Sequence, residues 1–142
     1  MNPEPRPPSP RILIVDDEQP VVDLFMSILR EHDFDVCGVS DPRVAIETAR
    51  KFLPHLVLTD LDMPGLDGSE LCTLLKSYPE TSRAPVVFVS GRTLEEDHDL
   101  GRFSGAVSYL DKPVEAEVLV RTVRNILGCG KKGLRTTPRV AP

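Results

Sequence analysis

The feature that most restricts the fold is a fivefold alternation of short apolar runs with stretches of helical spacing. The runs Ile12–Val15, Val36–Val39, Leu56–Leu58, Val86–Val89 and Ala106–Leu110 have the length of strands, and they show almost no apolar-polar alternation. That pattern suits strands covered on both faces. Between them lie helices. Pro20 is tolerated in a first helical turn, and Val21, Phe25 and Ile28 follow at helical spacing, with Leu24 and Leu29 widening the stripe. Asp41-Pro42 has the form of a cap followed by N1 and predicts a second helix offering Val44, Ile46, Ala49 and Phe52 for burial. A third helix runs from about Ser69 to Ser77 with Leu71, Leu74 and Leu75, and Tyr78 to Pro85 is a loop. Residues 92–103 predict a short, poorly anchored fourth helix. Val114 to Leu127 is a strongly patterned last helix stopped by Gly128. Strand and helix alternating in this way imply an α/β fold, a doubly wound five-stranded parallel sheet with right-handed crossovers. The flavodoxin-like strand order 2-1-3-4-5 is expected.

What ends the runs is as informative as the runs themselves. The first stops at Asp16-Asp17-Glu18, the third at Asp60, the fourth at Ser90 and the fifth at Asp111-Lys112-Pro113. Strands one and three are neighbours in the expected order, so Asp16, Asp17 and Asp60 converge at the carboxyl edge, where ligands gather in open α/β sheets. Like charges that close are costly unless a cation neutralises them. Hard oxygen donors favour Mg²⁺. Singly, Asp17 is explained as a helix-entry acid, Ser90 as a turn residue and Lys112 as a surface cation. Their meeting at four strand ends points instead to phosphoryl chemistry, in which one carboxylate attacks while the metal and the lysine neutralise the transferring group.

Composition narrows the function classes. The chain has 142 residues, 40% of them hydrophobic, which suits one domain with a proper core. No apolar run approaches the ~18 residues of a membrane span, and the proline-rich start is unlike a signal peptide, so a cytoplasmic protein is expected. The net charge is −5, and residues 128–142 hold Lys131, Lys132, Arg135 and Arg139 but no acid. All 22 acids therefore lie in residues 1–127, an acidic body that argues against direct nucleic-acid binding. Cys37, Cys72 and Cys129 lack the spacing of a disulfide framework or zinc site, and His32, His55 and His98 are expected at the surface or in packing. The expected organisation is a proline-rich lead over 1–10, a folded domain over 11–127 and a basic tail or linker over 128–142.

From about Arg11 to Leu127 the chain resembles the receiver domains of two-component response regulators. The resemblance rests on Asp16-Asp17, the segment T-D-L-D-M-P-G-L-D-G around Asp60, V-F-V-S-G ending strand four, and G-A-V-S-Y-L-D-K-P. It implies that Asp60 is the phosphoacceptor and that Asp17 and Asp60 bind Mg²⁺ (or Mn²⁺) directly. Asp16 would act largely through water, with the backbone carbonyl of Asp62 completing the site. It further implies that Ser90 is the switch hydroxyl, Tyr109 the aromatic that turns inward, Lys112 the contact to the phosphoryl group, and the bond before Pro113 cis. The implied partners are a sensor histidine kinase or phosphotransfer protein upstream and a protein target on the face of helix four, strand five and helix five. A homodimer is also allowed. The implied role is a phosphoacceptor switch rather than an enzyme.

Two alternatives stay open at the level of sequence. Asp60-x-Asp62 is similar to the nucleophile motif of haloacid-dehalogenase-type phosphatases, although Pro64 replaces the usual Thr or Val there and no cap insertion is evident. A receiver used only for docking is the other. The tail holds no recognisable output domain, so the expectation is a stand-alone receiver or the front of a longer protein. One feature is particular to this chain: Asp62 and Arg92, each two residues beyond a site residue, are expected to pair over the phosphoryl group and lengthen its life.

Overall fold

The computed structural model describes residues 8–91 and 105–128. Five strands, β1 (Arg11–Val15), β2 (Asp35–Val39), β3 (Leu56–Asp60), β4 (Val86–Ser90) and β5 (Ser108–Asp111), form one parallel sheet in the order β2-β1-β3-β4-β5. This is the flavodoxin-like arrangement expected. Among the described residues, four α-helices pack on it: α1 (Gln19–Glu31), α2 (Ala45–Phe52), α3 (Gly68–Lys76) and α4 (Ala116–Leu127). The expected helix within 92–103 lies outside the described residues, as do the leading residues 1–7, the tail 129–142, His98, Cys129 and Arg92.

Burial follows position in the sheet. Every residue of β3 and β4 is buried, whereas β5 at the margin is only half-buried. Because successive side chains alternate between faces, two separate core layers form. Ile12, Ile14, Leu56, Leu58, Val87 and Val89 pack under Val22, Phe25 and Leu29 of α1 and Leu119, Val120 and Val123 of α4. Leu13, Val15, Val57, Val86 and Phe88 pack under Ala45 and Ala49 of α2 and Leu71, Cys72 and Leu75 of α3. The alanines let short α2 approach the sheet closely.

The departures from sequence expectation have local causes. Pro42 is followed by a single 3₁₀ turn over Pro42–Val44, in which Asp41 accepts the Arg43 N–H at 3.0 Å, and α2 starts only at Ala45. Gly105 has a φ of +86°, and the Val107 N–H donates to the Val86 carbonyl at 2.9 Å, so β5 begins at Ser108 and not at Ala106. The last helix begins at Ala116 behind a non-helical Glu115. Leu24 is 53% exposed, and Val44 and Leu74 are also exposed. The buried stripe of α1 is centred on Val22, Phe25 and Leu29, which leaves Leu24 on the far side.

At the amino edge of the sheet, Arg11 Nε donates to the carbonyls of Phe52 and Leu53 at 3.0 and 2.9 Å, closing the end of α2. His55 Nδ1 accepts the Arg11 N–H at 2.9 Å, and His32 Nδ1 lies 2.9 Å from the Ile28 carbonyl, so both histidines serve the main chain. Cys37 and Cys72 are not joined in a disulfide.

Candidate functional site

The site forms at the carboxyl edge, where β1 and β3 lie side by side with Val15 opposite Thr59. One residue beyond each strand pair come the acids. Asp60 ends β3 and is 7% exposed; Asp16 follows β1 and is 2% exposed; Asp17 next to it is exposed. One carboxylate oxygen from each of Asp16, Asp17 and Asp60 lies within 4.8 Å of the others. Asp16 is held from both ends. Its N–H donates to the Val39 carbonyl at 3.1 Å, and its Oδ1 accepts the Glu18 N–H at 2.9 Å.

Lys112 reaches the cluster from beyond β5, past two strands. Its Nζ donates to Asp16 Oδ2 at 2.9 Å and stands 3.7 Å from Asp60 Oδ2. Its N–H donates to the Ser90 carbonyl at 2.8 Å, tying the end of β5 to that of β4, and the Lys112–Pro113 bond is cis. Burial works to lower the lysine's pKa, but the hydrogen bond it donates to Asp16 and the charges of Asp60, Asp16 and Glu18 together hold it above the ordinary value. Asp60 moves the other way from a normal carboxylate. Burial, the largest cause, and the charges of Asp16 and Asp17 push it up to about 6 despite Lys112 and the Asp62 N–H. One ammonium leaves the acids under-neutralised.

The remaining predicted residues sit around this centre. Ser90, at the end of β4, is fully buried. Tyr109 on β5 lies opposite Phe88 and meets it edge to face, with ring centroids 6.5 Å apart and an interplanar angle of 85°. The Asp62 N–H points at Asp60 Oδ1 from 3.4 Å, and the Asp62 side chain is exposed. The expected Asp62–Arg92 pair involves a residue outside the described ones.

Two supporting residues were not singled out from sequence. Thr59, 1% exposed, donates its hydroxyl to the Asp60 carbonyl at 3.0 Å. Gly68, first residue of α3, donates its N–H to the Leu61 carbonyl at 2.9 Å, and a Cβ there would run into the Asp60 carbonyl oxygen. The turn before α3 is closed by a capping box: Asp67 Oδ1 accepts the Glu70 N–H at 2.9 Å and Glu70 Oε1 accepts the Asp67 N–H at 3.0 Å. In sequence Thr59 is an ordinary strand former and Gly68 an ordinary turn residue.

The profile of the response regulator receiver domain matches residues 12–124. The chain belongs to this family. Among related receiver-containing proteins, protein PilH of Pseudomonas aeruginosa is 36% identical over 117 residues, covering 82% of this chain and 97% of PilH. The DNA-binding response regulator MtrA of Mycolicibacterium paratuberculosis is 36% identical over 114 residues, covering 80% of this chain and 49% of MtrA. The chain thus spans about half the length of the MtrA proteins it matches. A response regulator from Desulfuromonas acetoxidans superposes with a TM-score of 0.74 at 32% identity, over 83% of this chain and 96% of that one. The receiver domain of the sensor histidine kinase PA1611 from Pseudomonas aeruginosa, solved with magnesium in its active-site cleft, shares the fold at a TM-score of 0.78 and 24% identity, over 84% of this chain and 98% of that one. None of these matches supports the phosphatase alternative.

Proposed function

We propose that this receiver domain is a phosphorylation switch in which Asp60 takes a phosphoryl group from the phosphohistidine of a sensor histidine kinase or phosphotransfer protein. The observation that carries this reading is the gathering of three carboxylates within 4.8 Å of one another, with the Lys112 ammonium 2.9 Å from one and 3.7 Å from another. Such a group is expensive to bury for structure alone. The donor set fits a hard divalent ion: all oxygen, close enough to share one cation, and open to water on the side of exposed Asp17. Asp17 and Asp60 would hold Mg²⁺ or Mn²⁺ directly, Asp16 through water, and the main-chain carbonyl of Asp62 would complete the protein's share. The bound ion would supply positive charge to the phosphoryl oxygens during transfer.

The chain's own groups do the rest. An Asp60 carboxylate oxygen forms the new bond to phosphorus as the phosphorus–nitrogen bond of the donor breaks and the imidazole leaves. Lys112 moves less than a side-chain length, from Asp16 to a phosphoryl oxygen. Ser90 donates its hydroxyl to another, drawing the end of β4 inward, and Tyr109 keeps the space against Phe88 filled. The shift alters the surface of β5 and α4, where a downstream protein binds in one state and not the other. The turnover is one phosphoryl group per chain, in the cytoplasm, where kinases present phosphohistidine.

Intact-mass measurement after incubation with acetyl phosphate and Mg²⁺ tests this directly. The wild type is expected to gain one phosphoryl group, and the Asp60→Asn variant or a chelator-treated sample none. Equal labelling of wild type and Asp60→Asn defeats the proposal. Sustained hydrolysis of small phosphate esters would restore the phosphatase alternative.

A further inference from the structure

We infer that Thr59 is a positioning residue for Asp60, its buried hydroxyl fixing, together with the bare Cα of Gly68, the main-chain carbonyl of the aspartate that reacts. This rests on Asp60 being the phosphoacceptor. Thr59 lies opposite Val15 of β1 and Phe88 of β4, in the layer that also holds Val57. Side chains alternate along a strand, so Thr59 points to the opposite face from Asp60 and does not touch the reacting groups. Its effect on chemistry passes through the backbone.

An apolar residue would suit this place better on packing grounds. Thr59 is 1% exposed between aliphatic and aromatic neighbours, and a hydroxyl there costs desolvation unless it is bonded. Its hydrogen bond goes to the carbonyl of Asp60 at 3.0 Å. The same carbonyl oxygen is abutted by Gly68, whose N–H holds the next carbonyl, that of Leu61, at 2.9 Å. Two successive peptide planes are thereby pinned. The Asp60 carboxylate hangs from the first, and the Asp62 N–H that approaches its Oδ1 belongs to the second. In-line attack on phosphorus tolerates little error, and displacements near 1 Å can cost about a hundredfold in rate. Loss of one such hydrogen bond is worth about three- to tenfold.

The test compares Thr59→Val, which keeps the shape and removes the hydroxyl, with Thr59→Ser, which keeps the hydroxyl. Each full chain is incubated with acetyl phosphate and Mg²⁺, the rate of labelling is read by intact mass, and thermal unfolding is recorded alongside. Thr59→Val is expected to be labelled about three- to tenfold more slowly than wild type while melting within a few degrees of it, and Thr59→Ser to be labelled at nearly the wild-type rate. Wild-type labelling of Thr59→Val overturns the inference. So does a Thr59→Ser rate as low as that of Thr59→Val, because shape and not the hydroxyl would then be responsible. If Thr59→Val does not fold, Thr59→Ser against Thr59→Ala decides, a faster Ser variant supporting the inference and equal rates overturning it. An Asp60→Asn control labelled like wild type would instead remove the phosphoacceptor reading, and the inference with it.

Discussion

Asp60 is poised as a charge the metal-free protein would rather not carry. Its pKa, pushed up to about 6 chiefly by burial, exceeds the value near 3.9 of an unfolded aspartate. A carboxyl raised in this way adds stability below the unfolded value and loses it as pH rises through about 6, since the folded state binds the extra proton. In chelator, Asp60→Asn should therefore be more stable than wild type near neutral pH, by ~2–3 kcal/mol, with the difference vanishing toward pH ~4. Urea unfolding at several pH values checks this, and excess Mg²⁺ should shrink the gap by binding only the folded wild type. That Asp16, Asp17, Asp60, Ser90 and Lys112 would share one edge was legible in the sequence, because each closes a strand-length run. The preference of Lys112 for Asp16 was not. It depends on how far a side chain rooted beyond β5 reaches past β4 and β3, a distance that no sequence spacing encodes.

At the level of elements, α3 is set against the end of β3 with nothing between them but hydrogen. A Cβ at Gly68 would meet main-chain atoms, the Asp60 carbonyl oxygen and, at 2.9 Å, Leu61 Cα. At Gly38 of β2 it would meet side-chain ends, Val22 Cγ1 and, at 2.8 Å, Met26 Sδ. Backbone cannot swing away as a methionine can. Gly68→Ala should thus cost about 3 kcal/mol and Gly38→Ala about 1–2 kcal/mol, since buried, β-branched Val22 must give way there as well as Met26, a ranking that chemical denaturation of the two variants would test. A reversed ranking would mean that the turn before α3 yields more easily than its capping box suggests. Helix and strand identities were plain in the sequence from period and run length, yet their starts were not. Asp41-Pro42 looks like the entry to an α-helix and opens a 3₁₀ turn instead, and Ala106 looks like strand before the chain has left the turn at Gly105. Leu24 carries the same lesson, because an apolar stripe drawn too wide includes a residue that the sheet never reaches.

For the whole molecule, the order β2-β1-β3-β4-β5 puts the three best-covered strands in the middle and the thinner ones outside. Opening should follow that gradient. Amide exchange is expected to be slowest at Leu13, Leu58 and Phe88, governed there by global unfolding, and faster at Tyr109 and Leu110 by local release of β5. Equal protection across all five strands would contradict this. The topology itself was legible from five alternations of run and helix, whereas the gradient in burial required knowing which strands the order leaves at the margin. Lys112 is rooted just past the most weakly covered of them. Fraying at that border should withdraw the counter-ion of the acidic cluster while the interior stays shut, so the proposed phosphoryl transfer is expected to fall silent well before the molecule melts.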